Sequence, residues 1–479
     1  MENKKMKIIS IASIIALALT LVTATYAYFM AQTGEGKSTD IKINANTIDT
    51  FTFEAGSALN LNLNQDNFAS GKGNQTGTTF AKAMLTANNK TNTATEHYYM
   101  YLNISNNTFT YSIDNNTPEI LLSIKDSSNN EITTLTGLTY KTVTDGKGAS
   151  IKGFDITNKK GLVTILNNRE ITTTSTKTEE WNVTVTFVNY NSNQAGNAGK
   201  NFSAKLMIQK EEYKQTLVEY VKSQYTGTQG ENGIYYHNSA LTNGAGDNSY
   251  RYAGASDSVN NYICLGSDEA TCPEANLFRI IGVFGNQTKV IRAKSVGDKQ
   301  WHTSQVNTWS SSSLNTYLNG EYLTSLGTLK NKIATTTWKV GGGSWSNIVN
   351  SVPKTVYQYE VGSSASTTTV DKKIGLMYVT DYYYSASPSA WTLVGFDNDA
   401  TKDYRAAKTT NWLYLGSYEW TISRFSDTAI SVFDVSSTGF VSGYDVTNSY
   451  AVRPSFNLLS STTYVSGSGS MSDPVRVTD

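Results

Sequence analysis

Apolar and polar positions alternate through residues 28–210. In "WNVTVTFV" (181–188), Trp181, Val183, Val185 and Phe187 share one face of a period-two pattern. "FSAKLMIQK" (202–210) does the same with Phe202, Ala204, Leu206 and Ile208. "TFTFEA" (50–55), "SALNLNLN" (57–64), "YYMYLNIS" (98–105) and "EILLSIKD" (119–126) are further short strands, separated by clusters of Asn, Gly, Ser and Asp. "TTFAKAMLTA" (78–87) is the one helix-like piece. Many short alternating strands predict a β-sandwich of Ig-like type, with no cysteine inside it.

At 211–225, "EEYKQTLVEYVKSQY", the period changes. Tyr213, Leu217, Tyr220, Val221 and Tyr225 form one helical stripe, with Glu211 and Glu212 at its start. This predicts a connecting helix over 211–227, broken by "TGTQGENG". Residues 228–479 then read as an α+β domain. Its strands are expected in "LFRIIGVFG", "TKVIRAKS", "KKIGLMYVT", "YAVRPSFNLL" and "PVRVTD". A helix is expected after the serines that precede Leu314, Tyr317 and Leu318, stopped by Asn319–Gly320. Residues 339–370 and 385–411 read as long loops, and "VGGGSWS" (340–346) as a flexible one.

The N-terminus has a different pattern. Lys4, Lys5 and Lys7 precede an uncharged run from Ile8 to Val22, and Thr25 and Ala27 stand at small-residue cleavage spacing. Residues 1–27 are therefore read as a signal peptide, cut before Tyr28 or kept as an anchor. Either outcome places the body of the chain outside the cell, at the surface or free, with signal peptidase as its export partner and the membrane touched only by this segment. Lys plus Arg and Asp plus Glu both number 39, so the net charge is zero, which argues against nucleic-acid binding. Seven of the eight tryptophans lie in the last domain.

Two resemblances add to this reading. "TYAYFMA" resembles the end of the signal in TasA- and camelysin-like exported proteins of Gram-positive bacteria, which implies a dedicated signal peptidase and a TasA-like sandwich. "NSYRYAGA", "NYICLGSDEATCPEANLFRIIGVF", "LNTYLNGEYL", "KIGLMYVTDYYYSAS", "NWLY", "EWTISR" and "YAVRPSFNLLSSTTYVSGSGSMSDPVRV" resemble a C-terminal domain of unknown function common in exported proteins of low-GC Gram-positive bacteria. The match covers about 234–479 and carries no activity. Its plan is similar to the C-type-lectin-like fold, without the E-P-N or Q-P-D motif of calcium-dependent sugar binding.

Catalytic chemistry finds little support. The three histidines, His97, His237 and His302, are scattered, and none sits in H-E-x-x-H. Cys264 and Cys272 are the only cysteines. Their C-x7-C spacing fits neither a redox pair nor a zinc half-site, and a disulfide closing a hairpin loop is the expectation, against a nucleophilic Cys or a metal ligand. Asp397, Asp399 and Asp403 partly mimic a calcium loop, but Lys402 replaces its turn glycine. Arg424 and Arg453 are expected to pair with a buried carboxylate such as Glu419, Asp434 or Asp445. Tyr382, Tyr383, Tyr384, Trp391, Trp412 and Trp420 form the ligand-like set, at least two of them expected to line a surface cleft.

The expectation is an exported, mainly β, non-enzymatic surface protein without a cofactor. Its aromatic-rich last domain would bind a glycan or a surface protein. The alternative is a fibre subunit, in which the mature N-terminal segment (28–48) adds a strand to a neighbour's open sheet edge.

Overall fold

The computed structural model describes residues 49–63, 72–88, 92–394 and 409–478. The signal segment 1–27, the segment 28–48 and the calcium-loop candidates Asp397, Asp399 and Asp403 lie outside the described residues. The chain divides into two compact units, Met1–Tyr213 and Lys214–Asp479, and strands dominate both.

The first unit runs β1 (Thr50–Ala55), β2 (Leu59–Asn62), β3 (Gln75–Thr86), β4 (Ala94–Asn107), β5 (Ile120–Asp126), β6 (Tyr140–Thr144), β7 (Ser150–Asp155), β8 (Gly161–Thr173), β9 (Thr176–Phe187) and β10 (Asn201–Gln209). They make two antiparallel sheets, ordered β1-β3-β9-β5-β7-β6 and β2-β10-β4-β8. Alternate residues of both, such as Val183, Val185 and Phe187 of β9 and Phe202, Ala204 and Leu206 of β10, join one apolar core. The helix-like stretch 78–87 is a strand. Thr79, Ala81, Ala83 and Leu85 of β3 are buried at period two, and β3 pairs with β1 on one side and β9 on the other. Pairing on both flanks overrides the helix propensity of its alanines. One edge is incompletely covered. β2 pairs with β10 only over Asn201–Ala204, and no described strand continues along Lys205–Gln209 on that side.

The second unit begins with the helix Leu217–Ser223, shorter than the stripe predicts. Glu211 and Glu212 precede it. Its N-terminus is set by a capping box, in which the Thr216 hydroxyl accepts from the Glu219 N–H and the Glu219 carboxylate from the Thr216 N–H. Leu217, Tyr220 and Val221 are buried in the core of this unit, and Tyr220 stacks on Tyr464 at 4.0 Å. The central hairpin of a nine-stranded sheet is Leu277–Phe284 with Gln287–Arg292. Leu277 to Val283 are all buried, as expected for a strand covered on both faces. Tyr262–Cys264 pairs antiparallel with Leu277–Phe284, and Val475–Val477 runs parallel to Tyr262–Cys264. A five-stranded sheet is ordered Asp298–Gln300, Ser449–Ala451, Glu419–Arg424, Ser431–Val435, Val441–Asp445.

Three expectations need correcting. Asn319–Gly320 does not stop its helix: Ser313–Tyr317, capped by Ser312, continues through a π-helical turn, Leu318–Tyr322, to Ser325. The Asn319 side chain bridges to the backbone of Ile374 instead of turning the chain. In "KKIGLMYVT" strand is confined to Lys372, which ends the strand Thr369–Lys372, and to Ile374–Gly375, and the helix Val379–Tyr384 starts within the same stretch. The 339–370 segment holds the helices Trp345–Ile348 and Pro353–Glu360. Its glycines serve close packing rather than flexibility. Gly342 has φ +66°, and a Cβ there would lie 1.8 Å from the Arg424 carbonyl oxygen.

Candidate recognition surface

All six aromatic rings picked out from the sequence are buried. Tyr382, Tyr383 and Trp420 are 0% exposed, Tyr384 and Trp391 1%, and Trp412 2%, so none lines a surface cleft. Their polar atoms are consumed by backbone carbonyls. Trp391 Nε1 donates to Ala386, Trp412 Nε1 to Tyr252, Trp420 Nε1 to Lys299 and the Tyr382 hydroxyl to Gly439. The rings of this short helix and its flanks are part of the apolar core of the unit.

The exposed rings lie elsewhere, on the five-stranded sheet. Trp420, Asp434 and Ser442 face one another across three strands, so they share a face. Tyr444 follows Ser442 by two residues and belongs to that face. Tyr450, from the neighbouring strand, packs on Trp420 at 4.5 Å. Tyr418 stacks on Tyr450 at 5.0 Å, and Tyr444 meets both edge-on at 5.8 and 5.6 Å. Tyr444 is 40% exposed, and Tyr418 and Tyr450 are half-buried. Lys299, directly opposite Tyr450, sets its ammonium 3.9 Å from the centre of the Tyr317 ring. Gln305 donates to Asp445 at 3.1 Å beside Tyr444 in the chain.

A buried carboxyl underlies this layer. Asp434 Oδ1 accepts from the Ser442 hydroxyl at 2.9 Å, and Oδ2 has no hydrogen-bond partner among the described residues. Burial pushes Asp434 up to about 7. Burial, then the nearby Asp434 charge, pushes the Tyr450 phenol up, and hydrogen bonding to Tyr418 does so for Tyr444.

Residues 285–460 match the family model of DUF6273, a domain of unknown function. The DUF6273 segment contains Tyr317, Tyr418, Tyr444, Tyr450 and Asp434, and thus the whole tyrosine face. Cys264, Cys272 and the first unit fall outside it. No curated protein matches the chain.

The remaining candidates resolve as follows. Cys264 and Cys272 form a disulfide with Cα atoms 5.8 Å apart, closing the loop of the hairpin that ends in Leu277–Phe284. Arg476 holds that loop by donating to the carbonyls of Ser267, Glu269 and Ala270. A groove of about 460 Å³ lies beside it, rimmed by Asp268, Glu269 and Asp473. Arg453 makes the expected buried pair, two-pronged to Glu419, with both contacts at 2.7 Å. Arg424 instead donates to the Gly341 carbonyl and the Asn307 side chain. Among the described residues, no group of three or more His, Cys, Asp or Glu could hold a metal ion. His237 is buried against Tyr384 and Trp391, and its Nδ1 accepts from the Ala245 N–H.

Sequence reading missed Tyr418, Tyr444 and Tyr450 because they are spread over 33 positions and meet only once the strands pair. The signal was present in "SGYD", where a lone Tyr sits among small and polar residues instead of in an apolar run.

Proposed function

We infer that this chain is an exported, non-enzymatic surface protein whose second unit recognises a glycan through the face formed by Tyr418, Tyr444 and Tyr450. The observation that carries the reading is the stacked, solvent-facing tyrosine triad. Its rings offer an apolar platform for the flat face of a sugar, and the hydrogen bond between Tyr418 and Tyr444 fixes their hydroxyls at its edge. Asp445 and Gln305 supply a polar rim. The non-enzymatic reading is supported by the use of the buried acids and bases in internal pairs, Arg453 with Glu419 and Arg251 with Asp247. Export is supported by the basic and apolar N-terminal segment and its TasA/camelysin-like "TYAYFMA". The test applies the full mature chain to glycan and matrix-protein panels. Binding to a glycan, abolished in a Tyr418→Ala/Tyr444→Ala variant that keeps the parent's circular dichroism, is expected. Absence of any glycan ligand, or unchanged binding by that variant, overturns the reading, and binding to a protein alone redirects it.

A second reading rests on the edge of β10 at Lys205–Gln209, which no strand covers among the described residues and which would accept a strand from another copy. The donor would be residues 28–48. Fibres visible by electron microscopy, lost on deleting 28–48, would support a matrix role. A monodisperse monomer would remove it.

A further inference from the structure

Lys289 points from the strand Gln287–Arg292 into the core, and Asp381 lies in the helix Val379–Tyr384. Nζ and Oδ2 are 2.5 Å apart, and the two side chains are 6% and 2% exposed. Three rings surround the ammonium, with centres 4.5 Å (Tyr378), 5.2 Å (Trp338) and 5.9 Å (Phe284) away. The other buried pairs of this unit use arginine, whose guanidinium cannot lose its proton here. This pair joins a primary amine to a carboxyl group in a nearly dry, aromatic enclosure.

Burial lowers the Lys289 amine from its ordinary value. A proton passing from ammonium to carboxylate leaves a neutral amine, which is a nucleophile, against a neutral carboxylic acid, which is an electrophile. The Tyr378 N–H donates to Asp381 Oδ2 at 2.8 Å, where negative charge would collect as the carbonyl carbon is attacked. Glu360, also buried, is held by the N–H groups of Val379 and Thr380 and the hydroxyls of Thr380 and Ser423, and its charge works against the lowering of the Lys289 amine by burial. Two groups already in contact react as one molecule, without the cost of bringing them together.

We propose that Lys289 and Asp381 become joined by an amide bond after the second unit folds. Nζ attacks Cγ of the protonated Asp381, the oxygen held by Tyr378 remains as the amide carbonyl, and Oδ1 leaves as water with the two protons released by the amine and the acid. No oxidant, metal or co-reactant takes part. The product ties two segments 92 residues apart with a bond that neither reductant nor denaturant breaks.

The test is mass spectrometry of the full chain, reduced and denatured. The expected mass is one water below the sequence value, and protease digestion yields a branched peptide that contains both Lys289 and Asp381. The Lys289→Arg chain should keep the full sequence mass. The proposal is overturned if the parent shows the sequence mass with Lys289 and Asp381 in separate peptides. Loss of the same water from Lys289→Arg overturns it too, since the loss then arises elsewhere. The parent measurement decides the matter even if the variant fails to fold.

Discussion

The described ion pairs of the first unit keep their cations partly exposed, as Arg169–Glu179 and Lys210–Glu96 do, whereas Arg453, Glu419, Lys289 and Asp381 of the second are all buried. The deepest carboxyl of the first unit, Glu119, takes neutral partners, Ser112 and Gln194. Its core is built mainly of alternate apolar residues of two sheets, with neutral polar residues such as Asn107, Thr157 and Asn197 buried beside them. The second unit adds His237, Asp434 and Arg279 to its interior, the last clamped between the Tyr262 and Trp412 rings at 4.2 and 4.6 Å. A core of alternating apolar residues tolerates exchange within its class. A core of matched charges depends on particular partners, because one left alone is expensive.

The comparison can be broken most directly at Arg453. Arg453→Met should cost the second unit about 3–5 kcal/mol, because Glu419 is left buried and unpaired. Chemical denaturation followed by tryptophan fluorescence reads this well, since seven of the eight tryptophans lie in that unit. An equal loss in the first unit's transition would erase the distinction.

Asp434 comes next. Its folded value is raised from 3.8 to about 7, so the native state holds the proton more tightly than the unfolded chain. Stability from this group is complete below about pH 4 and is lost as pH rises through 7, by a few kcal/mol at about 1.4 kcal/mol per pK unit. Asp434→Asn should flatten that slope and be the more stable chain at pH 8. His237 tilts the other way. Burial, then Arg251, holds it well below 6.5, so stability falls as pH drops below that value, and His237→Gln should remove the acid limb. Urea midpoints measured across pH 4–8 separate the two slopes.

Smaller effects sharpen the contrast. Reduction of Cys264–Cys272 should cost about 2–3 kcal/mol, in the second unit only, because the first has no cysteine. Tyr444→Ala should change stability by less than about 0.5 kcal/mol while weakening the proposed glycan binding, and calorimetry beside a binding assay measures both.

Much of the first unit was legible because its strands obey a single rule. β10 shows alternation over its whole length and β9 from Trp181 onward, after the polar Thr176–Glu180, and β1 and β5 fall within a residue of the predicted spans. β6, β7 and β8 escaped notice because polar residues such as Thr142, Lys152 and Asn167 occupy positions that an apolar pattern would need. The disulfide and the Arg453–Glu419 pair could be anticipated from residue type and spacing. The aromatic surface could not. Density of rings marks where bulk is required, and in "DYYYSASPSAW" that bulk fills the interior. Whether a given ring faces water is decided by strand pairing among segments far apart in sequence, as for Tyr418, Tyr444 and Tyr450.

The second unit closes on itself. Thr216 pairs with Thr463, Leu217 donates to the Thr462 carbonyl, and Val475–Val477 completes the sheet alongside Tyr262–Cys264. A chain that emerges from its N-terminus must therefore hold Leu217 to Leu277 unfinished until some two hundred further residues have followed, at roughly 5–20 residues per second during synthesis. Through that interval the strands Tyr262–Cys264 and Gln287–Arg292 lack their neighbours Val475–Val477 and Ser455–Leu458. The unit is timed to fold late, and during synthesis or export its sheet can be completed only when Val477 arrives.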